Sequence, residues 1–169
     1  MDFSALSWPY ALYDHNAKDI LTYLLRRAAT PEDAADCLAE TFLIAWNKQD
    51  QIPADARPWL FGVARNVLRR GHERDDRAQA AAAALARDLR DAGVESTPPP
   101  LAGSVITALE NLSVIDREIV TLIAWDSLTP REVAKVLGLS PNVVRVRADR
   151  ARTKLRRQLS VENAPVQTT

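Results

Sequence analysis

Four segments of the chain combine a hydroxyl residue with a following proline, a nearby acidic residue or both, which is the chemistry of an α-helix N-terminus. They lie at residues 30–33 (TPED), 113–116 (SVID), 129–132 (TPRE) and 140–141 (SP). The hydroxyl accepts a backbone N–H that the helix leaves unpaired, proline has no N–H to satisfy there, and an acid opposes the helix dipole. With no β-branched run alternating at period two, these four starts predict an all-α protein.

Three segments in the first half of the chain have apolar positions at helical spacing. Segment 17–27 is predicted to be helical and to bury Ile20, Leu21, Leu24 and Leu25. Segment 31–47 is predicted to bury Ala35, Leu38, Ala39, Phe42, Ala45 and Trp46. Segment 57–74 is predicted to bury Leu60, Val63, Ala64 and Val67.

The composition changes sharply over residues 78–100. Alanine is unbroken from 80 to 84, and GVESTPPP follows at 93–100. Alanine favours a helical extension of the preceding segment, whereas three prolines force an extended one. We therefore predict two small helical domains, at residues 10–77 and 101–159, joined by this Ala/Pro-rich linker. Residues 160–169 are predicted to be a disordered tail.

The second domain contains a helix-turn-helix, because only residues 138–140 (GLS) separate two predicted helices. The second of these helices carries seven basic residues against one acid between 140 and 159, although the whole chain balances 22 basic against 22 acidic residues. Its outward surface is either a solvated charged face or a DNA-binding face. Val143 and Val146 favour DNA, since valines among arginines gain nothing from water but can meet thymine methyls in a major groove. The buried stripe is predicted to be Val144, Ala148, Ala151 and Leu155.

Other functional classes leave little trace in the sequence. Cys37, His15 and His72 cannot supply the four ligands of a usual zinc site, and no catalytic triad or Gly-rich phosphate loop is visible. We expect no metal, no cofactor and no enzymatic activity. The first six residues lack the basic start of a signal peptide, and no apolar run approaches the ~20 residues of a membrane span. We expect a cytoplasmic protein that does not contact membranes.

Both domains resemble parts of bacterial sigma-70 family factors. The second resembles region 4 through ENLSVIDREIV (110–120), LTPREVAKVLGLS (128–140) and VRVRADRARTKL (144–155). The first resembles region 2.2 through PEDAADCLAETFLIAW (31–46) and regions 2.3 and 2.4 through PWLFGVARNVLRR (58–70). No segment resembles regions 1.1 or 3. The chain is thereby identified as a member of the short extracytoplasmic-function group.

This resemblance implies a subunit that directs bacterial RNA polymerase core to promoters and assists DNA opening, as a monomer within the holoenzyme. The implied partners are the β′ clamp helices, the β flap, duplex promoter DNA and the unpaired non-template strand, and an anti-sigma factor is a further candidate. One alternative is a stand-alone helix-turn-helix regulator of LuxR-like type, which leaves the first domain unexplained. Another is a helical adaptor whose basic helix binds an acidic protein.

The resemblance also implies site residues in the first domain. Region 2.2 docks on the clamp helices, and the side of helix 31–47 opposite its apolar stripe is acidic. The candidate polymerase-binding residues are Asp33, Asp36, Glu40, Leu43 and Asn47. Unpaired minus-10 bases are held by stacking or pockets and by basic contacts. The candidates there are Lys48, Gln49, Trp59, Arg65, Asn66 and Arg69, with Trp59 equally compatible with core packing.

In the second domain the resemblance implies recognition of the minus-35 element. The N-terminal part of such a helix enters the major groove and later residues reach the backbone. The candidates for the bases are Asn142, Val143, Val146 and Arg147, and those for phosphates are Arg150, Lys154 and Arg157. Val143 stands where the family usually has threonine, so the hydroxyl at that place is missing.

Overall fold

A computed structural model describes residues 4–87 and 104–162, which are helical apart from short connections. Within these ranges no strand occurs, and the all-α prediction is confirmed. The α-helices are α1 (Ser4–Leu25), α2 (Pro31–Asn47), α3 (Ala56–Arg87), α4 (Ser104–Glu110), α5 (Val114–Ala124), α6 (Pro130–Leu137) and α7 (Pro141–Glu162). A 3-10 turn, Gln49–Gln51, lies between α2 and α3. The chain divides into two compact units, Met1–Glu95 and Ser96–Thr169.

The first unit is a bundle in which α1, α2 and α3 pack against one another. Tyr23 of α1 meets Phe61 of α3 edge to face, with ring centroids 5.3 Å apart. At the start of α3, Arg57 Nη2 lies 3.2 Å from Asp19 Oδ2 of α1. The large fully buried side chains of this unit are Ile20, Tyr23, Leu24, Leu60, Phe61, Val67 and Thr41.

Helix α1 spans Ser4–Leu25 and differs at both ends from the predicted segment 17–27. It begins at Ser4 rather than at residue 17 and continues through Pro9. Tertiary packing explains the extension, because Tyr13 stacks edge to face on Phe42 of α2 at 4.8 Å. Leu25 is 49% exposed rather than buried, and Tyr23 fills the core in its place.

The buried face of α2 is rotated from the predicted one. Ala35 and Ala39 are exposed, and Trp46 is 53% exposed, so their assignment to the core is wrong. The buried residues are Ala34, Thr41 and Ala45. Alanines lie on both sides of this helix and hardly discriminate between faces. Thr41 can be buried because its hydroxyl donates to the Cys37 carbonyl at 2.6 Å.

In the second unit, α4, α5 and α6 pack on α7. Leu109, Leu112 and Val120 form a cluster with Ala151, and Leu155 packs against it. The predicted stripe of α7 is confirmed, since Val144, Ala148 and Ala151 are buried. Only one narrow side of α7 therefore faces the protein.

All four predicted helix starts are confirmed. Thr30 and Ser113 accept hydrogen bonds from the third backbone N–H of α2 and α5. Thr129 and Glu132 form a reciprocal capping box at α6. The Ser140 hydroxyl accepts from the Val143 N–H at 3.3 Å.

The linker, 78–100, and the tail, 160–169, were both predicted to lack packed structure, and each is partly helical. Helix α3 includes residues 78–87 of the predicted linker, as the alanine content suggested. Helix α7 continues to Glu162, so residues 160–162 of the predicted disordered tail are helical. The proline triplet at 98–100 and residues 163–169 lie outside the described residues.

Candidate DNA and polymerase interfaces

The turn between α6 and α7 sets the direction in which α7 leaves the core. Gly138 ends α6 in the left-handed conformation, with φ of 67°. The Leu139 N–H bonds the Ala134 carbonyl at 3.0 Å, and α7 starts two residues later. Because the stripe of α7 is buried, its opposite side faces solvent. That side carries Asn142, Val143, Val146, Arg150, Lys154 and Arg157, all exposed.

Two of the predicted DNA-binding side chains also bond to the protein itself. Arg147 Nε donates to Asp116 Oδ1 at 2.8 Å, and its Nη2 lies 3.4 Å from Ser113 Oγ. Lys154 Nζ donates to the Asn111 carbonyl at 2.5 Å. Sequence reasoning missed these partners because they lie 31 and 43 residues away, where helical periodicity carries no information.

The middle of α7 presents an open groove with a basic rim. Arg150 and Arg157 lie along it beside Asp149 and Thr153. Asp149, the one acid between residues 140 and 159, lies 3.6 Å from Arg152, an arginine outside the groove. The groove therefore offers guanidinium groups to an anionic ligand such as a phosphate backbone.

The acidic side of α2 is exposed, as predicted. Asp33, Asp36 and Asn47 are exposed, and Leu43 is 63% exposed. Glu40 is half-buried, and its Oε1 lies 3.1 Å from Arg70 Nη2 of α3. On this side of α2, Asp33 and Asp36 are therefore not neutralised by an ion pair like that of Glu40 within the described residues, and the large apolar side chain of Leu43 lies beside them.

Cys37 lies in a groove between α2 and α3. The groove is lined by Asp33, Asp36 and Glu40 on one side and by His72 and Arg74 on the other. Burial raises the pKa of the Cys37 thiol, and the neighbouring carboxylates of Glu40, Asp33 and Asp36 raise it further. The thiol is therefore held in its protonated, weakly nucleophilic form.

The predicted minus-10 residues fall into two groups. Lys48 connects α2 to the 3-10 turn and Gln49 is the first residue of that turn, and both are exposed. The others follow α3 and, at 100° per residue, span an arc of about 120°. Asn66 and Arg69 are exposed, whereas Trp59 and Arg65 are half-buried. Arg69 Nε also lies 3.9 Å from Glu73 Oε1.

A groove between α1 and α2 was not predicted. Its walls include Trp46 and Phe42 of α2 and Tyr10 and Tyr13 of α1. Tyr10 is 71% exposed and Tyr13 49% exposed. The exposed position of Trp46 is what opens this aromatic surface.

In the part of the chain that the structure describes, no group of His, Cys, Asp and Glu side chains is suited to hold a metal ion. The same residues include no helix that is both long and apolar enough to span a bilayer.

Family models match both units. The model described as Sigma-70 region 2 matches residues 12–78, and that described as Sigma-70, region 4 matches residues 102–155. An all-helical pair of such domains defines a sigma factor. The chain belongs to the sigma-70 family, in its extracytoplasmic-function (ECF) group, and it directs RNA polymerase to promoters. The region 2 match accounts for the domain that a LuxR-like regulator leaves unexplained.

Curated relatives cover most of the chain. The RNA polymerase sigma factor NccH of Alcaligenes xylosoxydans xylosoxydans is 32% identical over 147 residues, covering 80% of this chain and 78% of NccH. The ECF RNA polymerase sigma factor SigL of Mycobacterium tuberculosis is 30% identical over 156 residues, covering 86% and 85%. A solved structure of CnrH with the cytosolic domain of CnrY shares 27% identity, with a TM-score of 0.62 over 92% of this chain and 89% of that one.

Proposed function

We propose that the two units divide promoter recognition between them. Unit one binds polymerase core through the acidic side of α2 and holds the unpaired minus-10 bases, and unit two reads the minus-35 duplex with α7. The observation that carries this proposal is the surface of α7, where one narrow side is buried and the other exposes Asn142, Val143 and Val146 ahead of the phosphate candidates Arg150, Lys154 and Arg157.

The exposed residues of α7 suit a major groove in their order. Asn142 carries an amide that can bond an adenine edge with two hydrogen bonds, and Val143 and Val146 supply methyl groups for thymine. Both valines are 41% exposed, which costs free energy in water and is recovered on contact with a base methyl. Arg150, Lys154 and Arg157 follow and suit phosphates.

The acidic side of α2 suits a basic partner surface such as the β′ clamp helices. Asp33 and Asp36 can pair with arginines, and Leu43 adds apolar contact beside them. Glu40 contributes less, because Arg70 already neutralises it. Unit two supplies the second attachment, to the β flap. The unpaired non-template strand then lies along Lys48, Gln49 and the polar side of α3, with Trp59 available for stacking.

Two further features complete the proposal. The chain acts in the cytoplasm as a non-catalytic monomer of the holoenzyme, since its partner polymerase performs the chemistry. CnrH has been solved in complex with the cytosolic domain of CnrY, and for this chain we propose an anti-sigma factor as the regulatory partner.

Reconstitution with core polymerase tests the division of labour. We expect run-off transcription from a cognate promoter only when the chain and core are combined. Because the formal net charge is zero, the free chain should bind duplex promoter DNA weakly. Tight, sequence-specific binding by the isolated chain at physiological salt would instead support a stand-alone regulator.

Charge reversal on α2 tests the polymerase contact. Asp36→Lys should weaken core binding about tenfold or more. The control is Asp14→Lys on α1, which makes the same charge change at an exposed acid outside the proposed interface. Both variants should keep the helicity and melting temperature of the original chain, since exposed charges contribute little to folding. Equal core binding by the two variants would mean that the acidic side of α2 is an ordinary solvated face and not the polymerase contact.

A further inference from the structure

The contact between the start of α5 and the second turn of α7 is not explained by DNA binding. Arg147 Nε donates to Asp116 Oδ1 at 2.8 Å, and the other carboxylate oxygen, Oδ2, accepts from the Ser113 hydroxyl at 2.6 Å. Both oxygens of Asp116 are therefore engaged. The Ser113 hydroxyl oxygen in turn caps α5 by accepting from the Asp116 N–H at 3.2 Å. The arginine is thus tied into the N-terminal cap of α5.

One edge of the Arg147 guanidinium is engaged within the protein. An arginine reads guanine with two N–H groups on one edge of its guanidinium, directed away from the protein. Here the edge formed by Nε and Nη2 faces Asp116 and Ser113, so a base could be met only with the end formed by Nη1 and Nη2. The side chains of Arg147 and Asp116 are only 36% and 27% exposed, so their attraction is screened less than that of a surface pair.

A second contact holds α7 in the same place. Lys154 Nζ donates to the Asn111 carbonyl in the turn that precedes α5. Residues 147 and 154 are separated by two helical turns, or about 10 Å along the axis. The segment from Asn111 to Asp116 therefore contacts α7 at two points, which fixes both the rotation and the tilt of α7.

We propose that Asp116 and Arg147 are positioning residues for promoter recognition and that base reading belongs to Asn142, Val143 and Val146. Arg147 acts through Asp116 by holding α7 against α5, so that the N-terminal turn of α7 enters the groove at a fixed angle. This inference rests on the proposed DNA-binding role of α7. It reverses the sequence-based assignment of Arg147 to the bases.

A double-mutant cycle separates positioning from direct contact. The measurement is equilibrium binding of the holoenzyme to promoter fragments carrying every single-base change in the minus-35 element, at several salt concentrations. We expect Arg147→Ala, Asp116→Ala and the double variant to weaken binding by a similar factor, about five- to tenfold, because the pair acts as one unit. The loss should be shared by all base positions, and the salt slope should not change.

Direct contact predicts different results. If Arg147 reads a base, Arg147→Ala flattens the preference at one or two positions, and any loss caused by Asp116→Ala is confined to the same positions. If Arg147 binds a phosphate, its removal lowers the salt slope by about one. Either pattern would overturn the proposal.

Control variants test whether the loss of binding is specific to the pair of Arg147 and Asp116. Arg145→Ala removes the same charge from an exposed neighbour and should cost clearly less. Asn142→Ala and Arg150→Ala test α7 itself, and unchanged binding by both would overturn the DNA-binding role of the helix together with this inference. If Arg147→Ala loses helicity, Arg147→Gln retains most of the side-chain stem and replaces it in the same cycle.

Discussion

The same substitution, glycine to alanine, should change stability in opposite directions at two positions of this chain. Gly138 has φ of 67°, and a Cβ built there meets no atom within 4 Å. The cost of alanine at this position is therefore conformational, about 1–2 kcal/mol for an L-residue in the left-handed region. The lower entropy of the unfolded alanine chain offsets about 0.4–1 kcal/mol. We expect Gly138→Ala to lower the free energy of unfolding of the second unit by about 1 kcal/mol.

Gly71 is the matched control. It lies inside α3, and a Cβ there also meets no atom within 4 Å, but its φ is not positive. Alanine in a helix interior is favoured over glycine by about 0.5–1 kcal/mol, so Gly71→Ala should stabilise the first unit. Gly138→Asn should cost less than Gly138→Ala, because asparagine tolerates the left-handed conformation better.

Urea unfolding followed by circular dichroism gives the total change, and amide exchange read by mass spectrometry assigns it to α6 and α7 or to α3. For a domain of this size about 1 kcal/mol corresponds to roughly 4–8 °C in melting temperature. Faster exchange in α6 and α7 for Gly138→Ala, with slower exchange in α3 for Gly71→Ala, is the expected pair of results. The reasoning is refuted if Gly138→Ala is neutral or stabilising, since the turn would then not depend on a left-handed residue.

Three further predictions concern single side chains. The raised pKa of Cys37 predicts that iodoacetamide at about pH 8 modifies the native chain more slowly than the urea-unfolded chain, and equal rates would contradict it. Arg117 donates to the Leu109 and Glu110 carbonyls at 2.9 Å each, so Arg117→Ala should destabilise the second unit by about 1–3 kcal/mol in urea unfolding. Trp46→Ala should cost at most about half of the roughly 3–5 kcal/mol expected for the fully buried Phe61→Ala, which a common urea titration can compare.

Local chemistry explains why the helix starts were predictable. A cap uses atoms within three residues of each other, as when the Thr129 hydroxyl accepts from the Glu132 N–H and the Glu132 carboxylate accepts from the Thr129 N–H. Such a motif forms wherever the segment folds as a helix, whatever packs on it. The stripe of α7 was predictable for a similar reason, since its solvent side is so polar that only one orientation can be buried.

The face of α2 was not predictable from the same rules. Its alanines gain little on burial, so partner shape decides its rotation. Phe42 turns toward Tyr13 of α1, and Trp46 then lies at the edge of the aromatic groove instead of in the core. The start of α1 was misjudged for the same reason, because it depends on that contact across the bundle.

The candidate DNA surface shows where sequence periodicity stops being informative. Periodicity places Arg147 and Arg150 on one side of α7, and both are arginines, so the pattern assigns them related roles. Asp116 distinguishes them, because it engages Arg147 from another helix, whereas Arg150 lies along the open groove. A charged residue on a predicted DNA face must therefore be checked against acids that approach from elsewhere in the fold. If Arg147 is a positioning residue, the candidates that remain for the bases are the uncharged ones, and the sequence preference of α7 should favour A·T pairs, which present both the adenine edge for Asn142 and the thymine methyl for the valines.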